Sequence, residues 1–377
     1  MKRTSKYDIP IRIVCAVLFT LFSFLYIYLF QGEQLALIQD HLAQGVTSNN
    51  TLITALIITL LLVGVQYLLN RVGKLHGRFE AISYLPSCVL LALITKVDAF
   101  LSYSLVQWLV SLFVVFALYL LAVWVERNTA FLRDTKFLDQ LTPNLGVMVA
   151  MFVFTGWYGD NSAAVQMELA AWKHVHAGEY GRVLSVGDHS DDTNANLTAL
   201  RGLALAKTGR LGDNLFTYPQ RYGSNGLLMN RYKVQTPSYG SKMFYEQLGA
   251  SPYGGEGAPA FYKRMMLQSD DEEFRNLCAA ALLLDKKLDE FIALTKDWIP
   301  SDGGLSIAPV HYQEAWMIYN ELHPFSPIAF VPDENIAQQY REYLEFHETY
   351  ATNPVAIRNY CKRRFGNTYW YYYDFVD

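Results

Sequence analysis

"TALRGLALAKTGRLGDNLFTYPQ", residues 198–220, decides how the second half of the chain is read. Its apolar residues recur at helical spacing up to Ala206, and Gly209 supplies the positive φ that ends a helix without steric cost. Arg210 and Leu211 then open a second helix at once. Small residues such as Ala204 and Ala206 let two antiparallel helices approach closely. The stretch is therefore the joint of a helical pair.

The pattern recurs. In "AAWKHVHAGEYGRVLSVGDHSDD" (170–192), Ala177-Gly178-Glu179-Tyr180 takes the place that Thr208-Gly209-Arg210-Leu211 takes 31 residues later. A third instance is "FRNLCAAALLLDKKLDEFIALTKDW" (274–298), with Lys286 and Lys287 at the turn, and a fourth begins at "HYQEAWMIYNEL" (311–322). Trp172, Gly178, Tyr180, Gly202, Ala206, Gly209 and Leu211 carry a resemblance to the tetratricopeptide family, whose helix pairs repeat about every 34 residues. The resemblance implies stacked pairs with a continuous core and an extended concave face that binds a protein segment. It lapses at 221–260, a Gly-, Pro- and Tyr-rich insertion expected to hold one short helix near 238–249.

The first 158 residues follow a different logic. The whole chain is 52% hydrophobic and only 18% charged, poor in charge for a soluble protein. Residues 13–30 and 51–69 contain no charge at all, and each is long enough to cross a hydrocarbon core of about 30 Å. Further apolar runs lie at 81–95, 99–125 and 141–158, the last broken by Pro143 and Gly146. The expected architecture is all-α: a bundle of about five transmembrane helices over 1–158, then a helical-repeat domain over 159–377.

Loop charges orient the spans, because Lys and Arg near span ends stay on the cytoplasmic side. Lys2, Arg3, Lys6, Arg12, Arg71, Lys74, Arg78, Arg127, Arg133 and Lys136 lie on one side, against Lys96 on the other. The N-terminus is thus expected in the cytoplasm, with a fifth crossing carrying the C-terminal half outside the inner membrane. No ionisable residue is expected clearly inside a span. Residues 1–158 hold 11 Lys/Arg and 8 Asp/Glu, and residues 159–377 hold 20 and 27, net charges of +3 and −7. The acidic half argues against nucleic-acid binding.

Motifs for chemistry are sparse. "DHSDDTNAN" (188–196) fails as a calcium loop, because Thr193 stands where Gly is needed and Ala199 where the bidentate Glu belongs. It reads instead as a polar loop with an N-cap. His174 and His176 are two apart and cannot share a metal on one helix face. "YGGEGAP" (253–259) lacks the Lys-Ser/Thr ending of a phosphate loop. No cofactor, metal or catalytic residue is assigned.

The binding candidates are aromatic and basic: Tyr222, Arg231, Tyr232, Tyr239 and Tyr245 in the insertion, and Trp370 and Tyr371 in the closing "TYWYYYDF". That last stretch is a platform for a sugar or partner, an anchor dipping into the lipid headgroup region, or a C-terminal strap packed on the last repeat. Arg221, Arg231 and Lys233 suit an acidic or phosphorylated ligand. The multi-span front, the repeat-like rear and the terminal "FGNTYWYYYDF" (365–375) together resemble an uncharacterised Bacteroidota inner-membrane family of unknown function. That resemblance implies a periplasmic outer compartment and supplies no activity.

The expectation is an integral membrane scaffold whose extracytoplasmic domain binds another envelope protein. The alternative is a membrane enzyme acting on lipid-linked glycans or envelope lipids, with Glu33 and Asp40 of the first outer loop as general base or metal ligands.

Overall fold

In the computed structural model, residues 7–32, 35, 50–95, 105–128, 136–159, 162–229, 241–269, 271–298, 308–325, 327–349 and 353–376 are described. Regular structure among them is helical, with no β-strand. They fall into two compact units, one ending at Ser162 and the other starting at Ala163.

The first unit contains α1 (Asp8–Phe30), α2 (Thr51–Gly73), a 3-10 stretch (Gly77–Tyr84) running into α3 (Leu85–Ile94), α4 (Leu105–Asn128) and α5 (Phe137–Tyr158). Among the described residues, four segments are long and apolar enough to cross a membrane: Asp8–Phe30, Thr51–Gly73, Gly77–Ile94 and Phe137–Tyr158. Their outward faces are apolar. On α1, Ile9, Ile13, Val17, Leu21 and Leu25 are exposed while Ile11, Cys15, Phe19 and Ile27 are buried. A water-soluble helix shows the reverse, so this face is built for lipid.

The inside of the unit is apolar in the middle, with polar contacts toward both ends of α1: Arg12 to Glu80 near its start, and Gln31 Nε2 to Tyr26 Oη at 3.0 Å near its finish. Phe22 stacks on Phe152 with centroids 4.0 Å apart, and Phe19, Tyr84, Cys88, Leu91 and Met148 share one cluster. The 3-10 stretch lacks the regular α-helical ladder, and side chains from three helices complete its bonding. Asn144 Nδ2 donates to Gly77 O at 2.7 Å and to Gln140 O at 2.7 Å, while its Oδ1 accepts the Ala81 amide at 2.7 Å. Gln66 Nε2 donates to Ser83 Oγ at 2.8 Å, and Ser87 Oγ donates to Leu62 O at 2.8 Å. Irregular backbone at membrane depth persists only where protein groups satisfy it.

Glu80 corrects one expectation. It stands just ahead of the 81–95 run, yet its side chain is 0% exposed, inside the Gly77–Ile94 segment. Arg12 Nε donates to Glu80 Oε1 at 3.0 Å and Asn70 Nδ2 donates to the same oxygen at 3.1 Å. The carboxylate is tied to α1 and α2 at once.

The second unit begins with α6 (Ala163–His176), α7 (Tyr180–Ser185), α8 (Ala195–Lys207) and α9 (Leu211–Asn214). After the insertion come α10 (Ser241–Leu248), α11 (Ala258–Ser269), α12 (Glu272–Leu284) and α13 (Leu288–Thr295). The chain closes with α14 (Val310–Leu322), α15 (Glu334–Thr349), α16 (Pro354–Phe365) and α17 (Tyr369–Phe375).

The three turns noted in the sequence share one geometry. Gly178, Gly209 and Lys286 have φ of 70°, 67° and 57°. At each turn that residue donates to the carbonyl three back, and the next residue donates to the carbonyl five back: Gly209 to Ala206 at 3.0 Å and Arg210 to Leu205 at 2.9 Å, Lys286 to Leu283 at 3.0 Å and Lys287 to Leu282 at 2.9 Å, Gly178 to Val175 at 3.0 Å and Glu179 to His174 at 2.8 Å. This is the Schellman motif three times over. The helices that follow have 6, 4 and 8 residues. Lys286 bears the positive-φ cost that glycine avoids, and its Nζ in return donates to Val376 O at 2.6 Å.

The insertion is more ordered in its first part than its composition implies. A 3-10 turn, Gly223–Leu227, packs on α8 and α12, and a Cβ on Gly202 would stand 2.9 Å from Leu227 Cδ2. The short helix expected near 238–249 is Ser241–Leu248.

Two outcomes follow for thermal unfolding of the detergent-solubilised chain. Nothing lies within 4 Å of a Cβ built on Gly209, so Gly209→Ala reports backbone strain alone and costs about 1 kcal/mol. Asn144→Leu strands the Ala81 amide and the Gly77 carbonyl and costs about 1–3 kcal/mol for each group left unpaired.

Candidate functional site

The C-terminal aromatic helix is held by a buried carboxylate. His311 and Glu314, one turn apart on α14, are both almost fully buried, and His311 Nδ1 donates to Glu314 Oε2 at 2.8 Å. The Tyr369 amide donates to that oxygen at 2.7 Å, and Trp370 Nε1 donates to the Glu314 backbone carbonyl at 3.2 Å. His311 Nε2 accepts the Phe216 amide at 3.5 Å, which fits the Nδ1-protonated tautomer. Thr368 caps the helix, its Oγ1 accepting the Tyr371 amide at 3.3 Å. Tyr372 Oη donates to Leu284 O at 2.7 Å, and Tyr343 bonds to Asp374. "TYWYYYDF" is thus a strap, and Trp370 is a core residue.

Beside this strap lies a cleft of about 640 Å³. One wall is the 188–191 loop and the 216–221 segment; the other is α16 with Tyr371 and Tyr372 of α17. The loop is fixed from below. Asn194 caps α8 by accepting the Leu197 amide at 2.8 Å, and Asn194 and Asn196 each donate 2.8 Å bonds to the two oxygens of Glu168. The alternate-position polar residues of "DHSDDTNAN" serve as cap and anchor there.

Charge on the cleft is arranged in pairs and one reservoir. Lys362 Nζ donates to Asp191 Oδ2 at 2.7 Å and Arg221 Nη2 to Asp191 O at 2.9 Å. The hydrogen bond and charge of Lys362 hold the Asp191 carboxyl below its ordinary pKa. Arg201 lies 4.8 Å from the Tyr218 ring centroid, and its Nη2 donates to Val186 O at 2.8 Å and Gly187 O at 3.0 Å. Burial lowers the Arg201 pKa and raises that of Tyr218, the nearby guanidinium opposing the second shift.

The candidates from the sequence separate here. Tyr371 lines the cleft, together with Arg221. Tyr222 is 38% exposed and lies outside the cleft lining. Tyr245 and Trp370 are corrected from surface to interior: Tyr245 Oη donates to Met229 O at 2.8 Å, and Trp370 is 0% exposed. Arg231, Tyr232 and Tyr239, and likewise Glu33 and Asp40, lie outside the described residues.

Sequence reasoning missed Gln220, Arg358 and Lys362. The available signal was "IRNYCKRRF", whose Arg358 and Lys362 fall one turn apart on a helix. All four cysteines are free and buried.

Residues 106–252 and 265–376 match a family of unknown function, DUF6057, and the chain belongs to that family. Every cleft residue falls inside the matched segments. No curated protein and no solved structure matches the chain.

Removing an acceptor shared by buried donors leaves each of them stranded in the interior. Glu314→Ala strands the His311 ring N–H and the Tyr369 amide, is expected to cost about 1–3 kcal/mol for each donor left unpaired, and frees the strap, read as accelerated proteolysis after Phe365 and a red-shifted Trp370 emission.

Proposed function

We propose that the chain is a membrane-tethered adaptor. Its first unit anchors it in the inner membrane, and its second unit, set outside the cytoplasm, holds another envelope protein. The observation that carries the reading is the lipid-type surface of the first unit. Large apolar side chains are exposed along α1, α2, α4 and α5, where a soluble protein would expose charge.

Supporting the second half are the three Schellman joints, which resemble the turns of tetratricopeptide pairs. Stacked pairs of this kind leave an extended surface suited to a protein segment. The bias of ten basic residues against one across alternate loops favours a cytoplasmic N-terminus; counting α4, whose residues 105–125 carry no charge, as a fifth crossing beside the other four sets Ala163 onward outside.

Because the native cysteines are buried, one introduced thiol can test both halves. Tyr222→Cys would be labelled in intact spheroplasts with a membrane-impermeant maleimide carrying a photo-crosslinker. The expected outcome is labelling without lysis and a discrete crosslink to a second envelope protein. Labelling only after lysis would refute the topology, and recovery of uncrosslinked monomer alone would refute the adaptor.

A further inference from the structure

The cleft has the opposite charge to the unit it is cut into. Residues 159–377 carry 20 Lys/Arg against 27 Asp/Glu. The cleft itself presents Arg221, Arg358 and Lys362 against Asp188 and Asp191. Asp191 is already engaged, by Lys362 on its carboxylate and by Arg221 on its backbone carbonyl. Arg358, exposed and one turn before Lys362, forms no ion pair among the described residues.

Behind Tyr218 lies a further cation. Arg201 is 2% exposed, and its Nε and Nη1 donate to no described residue. A cationic pocket in an acidic unit focuses anions.

A second observation concerns donors. Gln220 lines the cleft and is 8% exposed. Its Nε2 donates to Leu215 O at 2.8 Å, while its Oε1 accepts from no described residue. A buried acceptor left open calls for a donor on whatever enters. The carboxylate of Asp188 offers another acceptor on the same rim. Tyr218 and Tyr371 add apolar ring area, and about 640 Å³ is ample for a small ligand.

We propose that this cleft binds an acidic sugar, a hydroxyl-rich ring bearing a phosphate or a carboxylate. The oxyanion is met by Arg221, Arg358 and Lys362, whose geometry suits either group. A ring hydroxyl donates to the exposed Asp188 carboxylate on the rim, and turning the Gln220 amide outward brings its Oε1, which is closed off from solvent, within reach of a second. The assignment is independent of the adaptor reading, since neither the topology nor a protein partner enters it.

The test is calorimetric titration of the full-length protein in detergent micelles with glucose 1-phosphate, glucuronic acid, glucose and inorganic phosphate. At least one acidic sugar is expected to bind about tenfold or more tightly than glucose or inorganic phosphate. Which of the two binds tighter identifies phosphate or carboxylate as the preferred group. Arg358→Glu, on an exposed side chain and with an unchanged melting midpoint, is expected to weaken that binding about tenfold or more.

Inorganic phosphate binding as tightly as glucose 1-phosphate would reduce the cleft to a plain anion site and overturn the sugar assignment. Absence of heat from both acidic sugars, or binding indifferent to Arg358→Glu, would overturn the proposal outright.

Discussion

The C-terminal architecture depends on the cost of burying Glu314. A carboxylate removed from water is tolerable only when its oxygens are filled by donors, and here one oxygen takes both the His311 ring and the Tyr369 amide. Meeting that demand fixes where the last helix starts. Once Tyr369 is pinned, a seven-residue helix places Trp370 inward and Tyr371 and Tyr372 against the cleft. The aromatic crowd around Phe216, with ring centroids at 4.9 Å from His311 and from Tyr372 and at 5.3 Å from Tyr369, then excludes water from the pair. Polar anchor and apolar cover need each other, and the cleft wall is their by-product.

The first unit meets the same constraint in a harsher solvent. A 3-10 stretch in an apolar bundle has backbone groups that lipid cannot satisfy. Asn144 supplies both a donor and an acceptor to it, and Glu80, between those two contacts, draws Arg12 and Asn70 onto the same stretch. These polar residues therefore read first as structural. Position explains why a charge is tolerated: Arg12 is 48% exposed on its side chain, so the pair keeps one member at the edge of the bundle, where it can snorkel toward water.

How much of this was legible depended on whether a feature is local. Uncharged runs and glycine-ended helices are written in consecutive residues, so α1, α2, α5 and the three joints could be located from composition and spacing. Even Lys286, which lacks glycine's freedom, was recoverable from its place after an apolar helix. The cleft was not legible, because Asp191 and Lys362 are joined across 171 positions and no local pattern encodes such a pairing. Trp370 and Tyr245 were misplaced for a related reason. Aromatic residues with polar tips serve interfaces and cores equally well, and only the partner of the tip, Glu314 O or Met229 O, tells the two apart.

The separation of structural and available polar groups gives the functional argument its direction. Asp191, Lys207, Glu256, Arg264 and Glu314 all have partners within hydrogen-bond reach. The Gln220 carbonyl at the cleft and two nitrogens of Arg201 behind Tyr218 have no hydrogen-bond partner among the described residues, as is also true of Glu273 Oε1 and Tyr369 Oη; of these residues Gln220 alone lines the cleft. A fold gains nothing in stability from desolvating a guanidinium and an amide and then leaving them short of partners. Such groups persist where occupancy, not folding, rewards them. An oxyanion carried on a hydroxyl-rich ring is the simplest species that would use the exposed cations of the rim together with the acceptors beside them. The exposed apolar residues of the first unit suit lipid alone, whereas the cleft, with Arg221, Arg358 and Lys362 beside Asp188, suits a solute that carries charge and donors together.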